Sequence, residues 1–153
     1  MDHRTELYLA VKRYLESQRW TYNERPDNYR FDFSMGIGGK LSSCRMIIAA
    51  EDEGVVFLAV SPLNASPDTL PTVAEFITRA NYGLKAGNFE MDYSDGEIRY
   101  KNYLRCKGSI PAMEDIEHAC DICFLMFRRY GNGLVKNLMG FGSPEEDIRD
   151  CEK

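Results

Sequence analysis

The sequence predicts a single α+β domain in which an antiparallel sheet is covered by helices, in the order α-β-β-β-α-β-β-α, with room for an extra short strand near Trp20. Three observations carry this. The region from Tyr29 to Val60 holds three consecutive strand-like stretches joined by short turns, and short links force neighbouring strands to pair antiparallel. Segments of helical period precede, interrupt and follow the strands, without the regular βαβ alternation of a parallel doubly wound sheet. No internal repeat, low-complexity tract or composition break divides residues 1–153, so they read as one domain.

Leu7, Ala10, Val11, Tyr14 and Leu15 recur at helical spacing, and Thr5 is placed to cap a first helix running to about Gln18. Tyr29, Phe31, Phe33, Met35 and Ile37 alternate with Arg30, Asp32, Ser34 and Gly36, the period of a half-buried strand. Gly36, Gly38 and Gly39 allow a reversal into a second strand from Leu41 to Ala50. After the turn Glu51-Asp52-Glu53-Gly54, the run Val55 to Val60 is apolar on both faces, as in a central strand with cover on each side. Val73, Phe76, Ile77 and Ala80 mark a second helix that stops at Gly83. Phe89, Met91 and Tyr93, the turn Asp95-Gly96, and then Ile98, Tyr100, Leu104 and Cys106 predict a hairpin. Gly108 or Ser109 with Pro111 opens a third helix whose inner face holds Ile116, Ala119, Cys120, Cys123, Phe124 and Phe127, and Gly131 and Gly133 are expected to interrupt it. Ser143-Pro144-Glu145-Glu146 has the cap, first-turn proline and third-position glutamate of a short last helix.

The chain has 153 residues, 44 % of them hydrophobic, which is enough to bury a core. A net charge of −5 argues against a phosphate backbone as the main partner, so no nucleic acid is expected. No apolar run approaches the roughly 20 residues of a membrane helix, and the start Met1-Asp2-His3-Arg4 lacks an apolar signal core. The expectation is a cytoplasmic protein that does not engage a membrane. Five cysteines in a chain of this size read as free thiols.

The stretch Asn81-Tyr82-Gly83-Leu84-Lys85-Ala86-Gly87-Asn88-Phe89, continued by Asp95-Gly96 and the strand after it, resembles the YbjN family of bacterial proteins. There a helix ends in an Asn-aromatic pair, a Gly-x-Phe strand follows, and an Asp-Gly turn leads to its partner strand. The likeness extends through the helix after Pro111 and the tail Gly140-Phe141-Gly142-Ser143-Pro144-Glu145-Glu146. It implies a fold like that of type III secretion chaperones, which commonly form homodimers and bind segments of other proteins. The family carries the label of sensory transduction regulator and offers no catalytic residues to transfer. Asn81, Tyr82, Gly83, Gly87, Phe89, Asp95 and Gly96 are themselves read as architecture: direction changes, hairpin register and a strand face.

No catalytic, cofactor-binding or metal-binding set assembles from the sequence. Cys120-Asp121-Ile122-Cys123 lies well inside a helix on its apolar face, rather than at an N-terminus where the dipole would lower a thiol pKa, so core thiols are expected. Cys106, His118 and Cys151 add no second paired spacing for zinc. Gly36-Ile37-Gly38-Gly39-Lys40 lacks the first glycine and the Ser/Thr of a phosphate loop. Nucleophile elbows and zincin motifs are absent, and His3 and His118 are the only histidines. Aromatic residues make up 12 % of the chain, and Tyr8, Tyr22, Tyr103 and Tyr130 fall off the predicted buried stripes, which makes them candidates for a partner-binding surface. The expected function is a non-enzymatic protein-binding module, chaperone-like or regulatory. The alternative is a small-molecule sensor or an enzyme using a cleft between sheet and helices.

Overall fold

The computed structural model describes residues Met1–Lys153. The elements are α1 (His3–Gln18), β1 (Asn23–Arg25), a 3-10 turn (Pro26–Asn28), β2 (Arg30–Gly38), β3 (Ser42–Ala50), β4 (Gly54–Val60), α2 (Leu70–Asn81), β5 (Asn88–Met91), β6 (Ile98–Arg105), α3 (Met113–Leu138) and α4 (Pro144–Cys151). The six strands form one antiparallel sheet in the order β1-β2-β3-β4-β6-β5, so the expected mixed α+β class and the extra strand after Trp20 are both present. No helix is long and apolar enough to cross a membrane.

Strand alternation sends one set of residues toward the helices: Phe31 and Phe33 from β2, Met46 and Ile48 from β3, Phe57 from β4, Tyr100 from β6. The helices meet this face through large side chains. Tyr8 of α1 stacks on Phe31 at 4.7 Å, Phe127 of α3 meets Phe89 edge-on at 5.3 Å, and the Cys123 thiol reaches the Phe57 carbonyl at 3.7 Å. Tyr130 packs edge-on against Phe76 of α2 and Phe89 of β5, joining α2, α3 and the sheet. Trp20 sits among Tyr14, Phe33 and Phe124, which ties the α1–β1 loop to the same core.

Several local expectations change. Helix α1 begins two residues early, capped by Asp2, whose carboxylate accepts the Thr5 amide at 2.8 Å; Thr5 is inside the helix. Gly131 and Gly133 do not interrupt α3, which is continuous. Their lack of a side chain serves packing: a Cβ on Gly133 would lie 2.8 Å from the Phe76 ring and 3.0 Å from the Cys151 sulfur. Helix α3 opens after Ala112, without a side-chain cap. At α4 the Ser143 amide is held by Asp147 at 2.9 Å in place of a Ser143–Glu146 exchange. Tyr93 lies beyond the end of β5 and is exposed, so it does not share a strand face with Phe89. Most consequentially, α1, α2 and α3 all lie on one side of the sheet. The cover that the apolar run of β4 led us to expect on both sides is present on one.

Candidate functional site

The other side of the sheet is an open surface whose pattern follows from register. On β4, Val56, Leu58 and Val60 point away from the helices and are partly exposed. Beside them on β3 stand Ala49 opposite Val56, Ile47 opposite Leu58 and Arg45 opposite Val60. On the flank formed by β6, Tyr103 faces Val56, Lys101 faces Leu58 and Arg99 faces Val60. The result is a strip of aliphatic side chains bordered by cations, formed because period-two alternation assigns every second residue of four neighbouring strands to one face.

Two carboxylates organise the border. Asp32 on β2 is buried and lies 3.3 Å from Arg25 and 3.8 Å from Arg45, with the Asn23 amide at 3.4 Å. Burial pushes its pKa upward, but the Asn23 and Arg25 hydrogen bonds and the two guanidinium charges outweigh it and leave the carboxyl below its ordinary value. Glu90 on β5 pairs with Arg99 and lies 3.2 Å from Lys101. Its partial burial is likewise outweighed by these two cations, which lower its pKa. Both acids are therefore ionised at neutral pH and hold the cationic side chains in place. Arg30 on β2, opposite Ala49 on β3, has a buried Nε without a hydrogen-bond partner.

Two recesses near the open face are open and polar. One of about 420 Å³, lined by Arg4, Glu51, Asp52, Glu53 and Tyr103, adjoins the end of the open face. Another of about 220 Å³ is lined by Glu90, Met91, Asp92, Glu97 and Arg99. Neither has the mostly apolar enclosed lining typical of a small-molecule site. No group of three or more His, Cys, Asp or Glu side chains is placed to hold a metal ion.

The residues singled out from the sequence fall in different places. Asn81 at the end of α2 clamps the first residues of β5: its Oδ1 accepts the Phe89 amide at 2.7 Å and its Nδ2 donates to the Phe89 carbonyl at 2.9 Å. Gly87 has φ +76 and lies against the Lys101 carbonyl and the Tyr100 ring, where a side chain would not fit. Gly96 adopts φ +76 against the Ala65 backbone, and Asp95 accepts the Glu97 amide at 2.9 Å. Gly83 turns the chain after Tyr82, whose side chain is 90 % exposed.

The four tyrosines do not form one surface. Tyr8 and Tyr130 are buried, which corrects their assignment as partner-binding candidates. Tyr8 donates to Glu24, and Tyr130 donates to Glu152 at 2.7 Å, so each hydroxyl is used internally. The buried stripes of α1 and α3 are wider than the minimal helical pattern and take in both residues. Tyr22 is half-buried against Phe31, and Tyr103 alone of the four is exposed, on the open face. Cys120 and Cys123 are fully buried. Burial holds Cys120, and Cys44 beside it, at a pKa of about 12, and pushes Cys123 up as well. Such thiols lack the thiolate that redox chemistry needs.

The residues missed by sequence reasoning are Ile47, Val56, Leu58 and Val60. A signal for them existed: the β4 run has no polar residue on either face, while its flanking strands alternate apolar with Arg45 on one side and with Arg99 and Lys101 on the other. Comparison with known proteins agrees with this fold. Residues 10–135 match the model of the YbjN family, described as "Putative bacterial sensory transduction regulator". The structure is similar to the crystal structure of YbjN from E. coli, described as "a putative transcription regulator", at 12 % identity and a TM-score of 0.58, covering 86 % of this chain and 92 % of that one. A likeness at that identity concerns the fold. No curated protein matches the chain. The family match spans most of the sequence, and the chain belongs to the YbjN family.

Proposed function

We propose that this member of the YbjN family is a non-enzymatic cytoplasmic protein-binding module, chaperone-like or regulatory, and that the open face of its sheet receives another protein. The observation that carries the reading is the uncovered aliphatic strip of Ile47, Val56, Leu58 and Val60 within a border of fixed charges. Contiguous apolar surface rimmed by polar groups is what a protein interface looks like before it is filled. The open polar recesses and the protonated buried thiols support a binding role over a catalytic one.

The test compares the tagged protein with its Leu58→Lys variant in affinity capture from its source lysate. Leu58 is partly exposed, so the lysine is accommodated and circular dichroism is expected to be unchanged. A protein retained stoichiometrically by the parent and lost by the variant supports the reading. Retention by both moves the interface elsewhere, and a co-purifying metabolite with no protein replaces the module with a sensor. A homodimer belongs to the same proposal: light scattering is expected to give twice 17.6 kDa at micromolar concentration, and a mass of 17.6 kDa removes that part.

A further inference from the structure

We infer that the segment seated on the open sheet face is an acidic protein segment with aliphatic anchors; this rests on the reading of that face as a docking surface and adds the chemistry of what docks there. Register places six cationic side chains on the outward face, Arg25, Arg30, Arg45, Arg99, Lys101 and Arg105, against two carboxylates, Asp32 and Glu90. The chain as a whole has a net charge of −5, whereas the strands of this face carry more cations than acids; the acids nearest to them, Glu51, Asp52 and Glu53, lie in the recess beside Tyr103 at the end of the face.

The charges are interleaved with the apolar strip. Val60 lies between Arg45 and Arg99 across the sheet, and Leu58 has Lys101 on one side and Ile47 on the other. A partner whose apolar side chains rest on Ile47, Val56 and Leu58 therefore brings its neighbouring residues over guanidinium and ammonium groups, where carboxylates gain charge-assisted hydrogen bonds and lysines are repelled. Because Asp32 and Glu90 each hold two cations, those donors are oriented before the partner arrives.

Other occupants fit less well. A second copy docked by a two-fold through the same face would set cations against cations, since an isologous contact pairs a patch with itself. A single-stranded nucleic acid needs aromatic platforms for its bases, and this face offers Tyr103 amid aliphatic side chains.

The test is selection of short random peptides displayed on phage against the immobilised full chain at low ionic strength, followed by fluorescence anisotropy of the enriched peptides. They are expected to be net negative with Leu, Ile or Val anchors. Their affinity is expected to fall at least about tenfold with Leu58→Lys, and by a similar factor with Arg99→Gln combined with Lys101→Gln. It should weaken on adding salt and be unchanged by Arg149→Gln on α4. If the double glutamine variant fails to fold, the salt dependence with Arg45→Gln substitutes for it. Peptides that are neutral or basic yet lost with Leu58→Lys overturn this inference and leave the docking face standing. Enriched peptides indifferent to Leu58→Lys, or no enrichment, overturn both. Tighter binding of fluorescein-labelled oligothymidine than of any peptide, or self-association abolished by Leu58→Lys, also overturns the inference.

Discussion

Val55, Phe57 and Ala59 expose no surface at all, whereas Val56, Leu58 and Val60, one residue away along the same strand, remain partly exposed. The two sets are chemically alike and share a backbone, but one lies under α1 and α3 and the other faces outward. The covered face has internal partners, including the Tyr100 hydroxyl and the Cys123 thiol bonded to backbone carbonyls. The open face is bordered by charges that pair with each other. Residue hydrophobicity alone thus says that β4 is apolar on both sides, and only the position of the helices separates a core from an interface.

The largest effect that would test this comparison is a paired truncation. Phe57→Ala is expected to destabilise by about 3–5 kcal/mol, since it opens a cavity under α3, whereas Leu58→Ala should cost less than about 1 kcal/mol. Denaturant unfolding measures both, and equal losses would mean the second face is also covered. The same contrast appears as chemistry. In the native protein Cys44, Cys120 and Cys123 are expected to resist alkylation at mildly alkaline pH while Cys151, partly exposed, reacts first; mass spectrometry of the labelled chain reads the order. Cys44 and Cys120 have pKa values raised by burial to about 12 from 9.0. Their protonated thiols therefore contribute stability that is complete below about pH 9 and is lost as pH rises toward 12, because the unfolded chain ionises first. Unfolding midpoints measured across that window should fall, and less steeply in Cys44→Ala.

A smaller effect separates the two neighbours Asn81 and Tyr82. Asn81→Ala leaves both the amide and the carbonyl of Phe89 without a partner and should cost about 1–3 kcal/mol, whereas Tyr82→Ser should stay within about 0.5 kcal/mol. A thermal shift in Tyr82→Ser equal to that in Asn81→Ala would show that the exposed ring is held by contacts after all. Asp32→Asn on the open face is expected to cost only about 1 kcal/mol at neutral pH, since its arginine partners are themselves half exposed. Because the folded pKa of Asp32 is lowered, its contribution is present above the unfolded value near 3.8 and disappears as pH falls through the folded one. Acid titration should show that loss in the parent and a flatter limb in the variant.

Much of the fold was legible in the residues. The alternation Phe31, Phe33, Ile37 and the helical spacing of Ile116, Ala119, Cys120, Cys123 and Phe127 mark buried faces that the structure keeps. The errors occurred where a local rule met a distant contact. Gly133 reads as a helix breaker until Phe76 and Cys151, far away in the chain, need the space its side chain would fill. Tyr8 and Tyr130 read as surface residues because the acceptors for their hydroxyls, Glu24 and Glu152, sit on other elements. The candidate site was hardest to read because Ile47, Val56, Leu58 and Arg99 come from separate strands and meet only through register.

By itself the sequence determined the order and kind of the elements, the antiparallel pairing of strands joined by short links and the apolar character of β4, since these depend on spacing within a few residues; the pairing of β4 with β6, across α2 and β5, belongs to the tertiary structure. Tertiary structure decided that all three large helices stack on one side of the sheet, and so which half of β4 became core and which became open surface. That choice depends on contacts between residues such as Cys123 and Phe57, whose separation along the chain is too long for any local periodicity to encode.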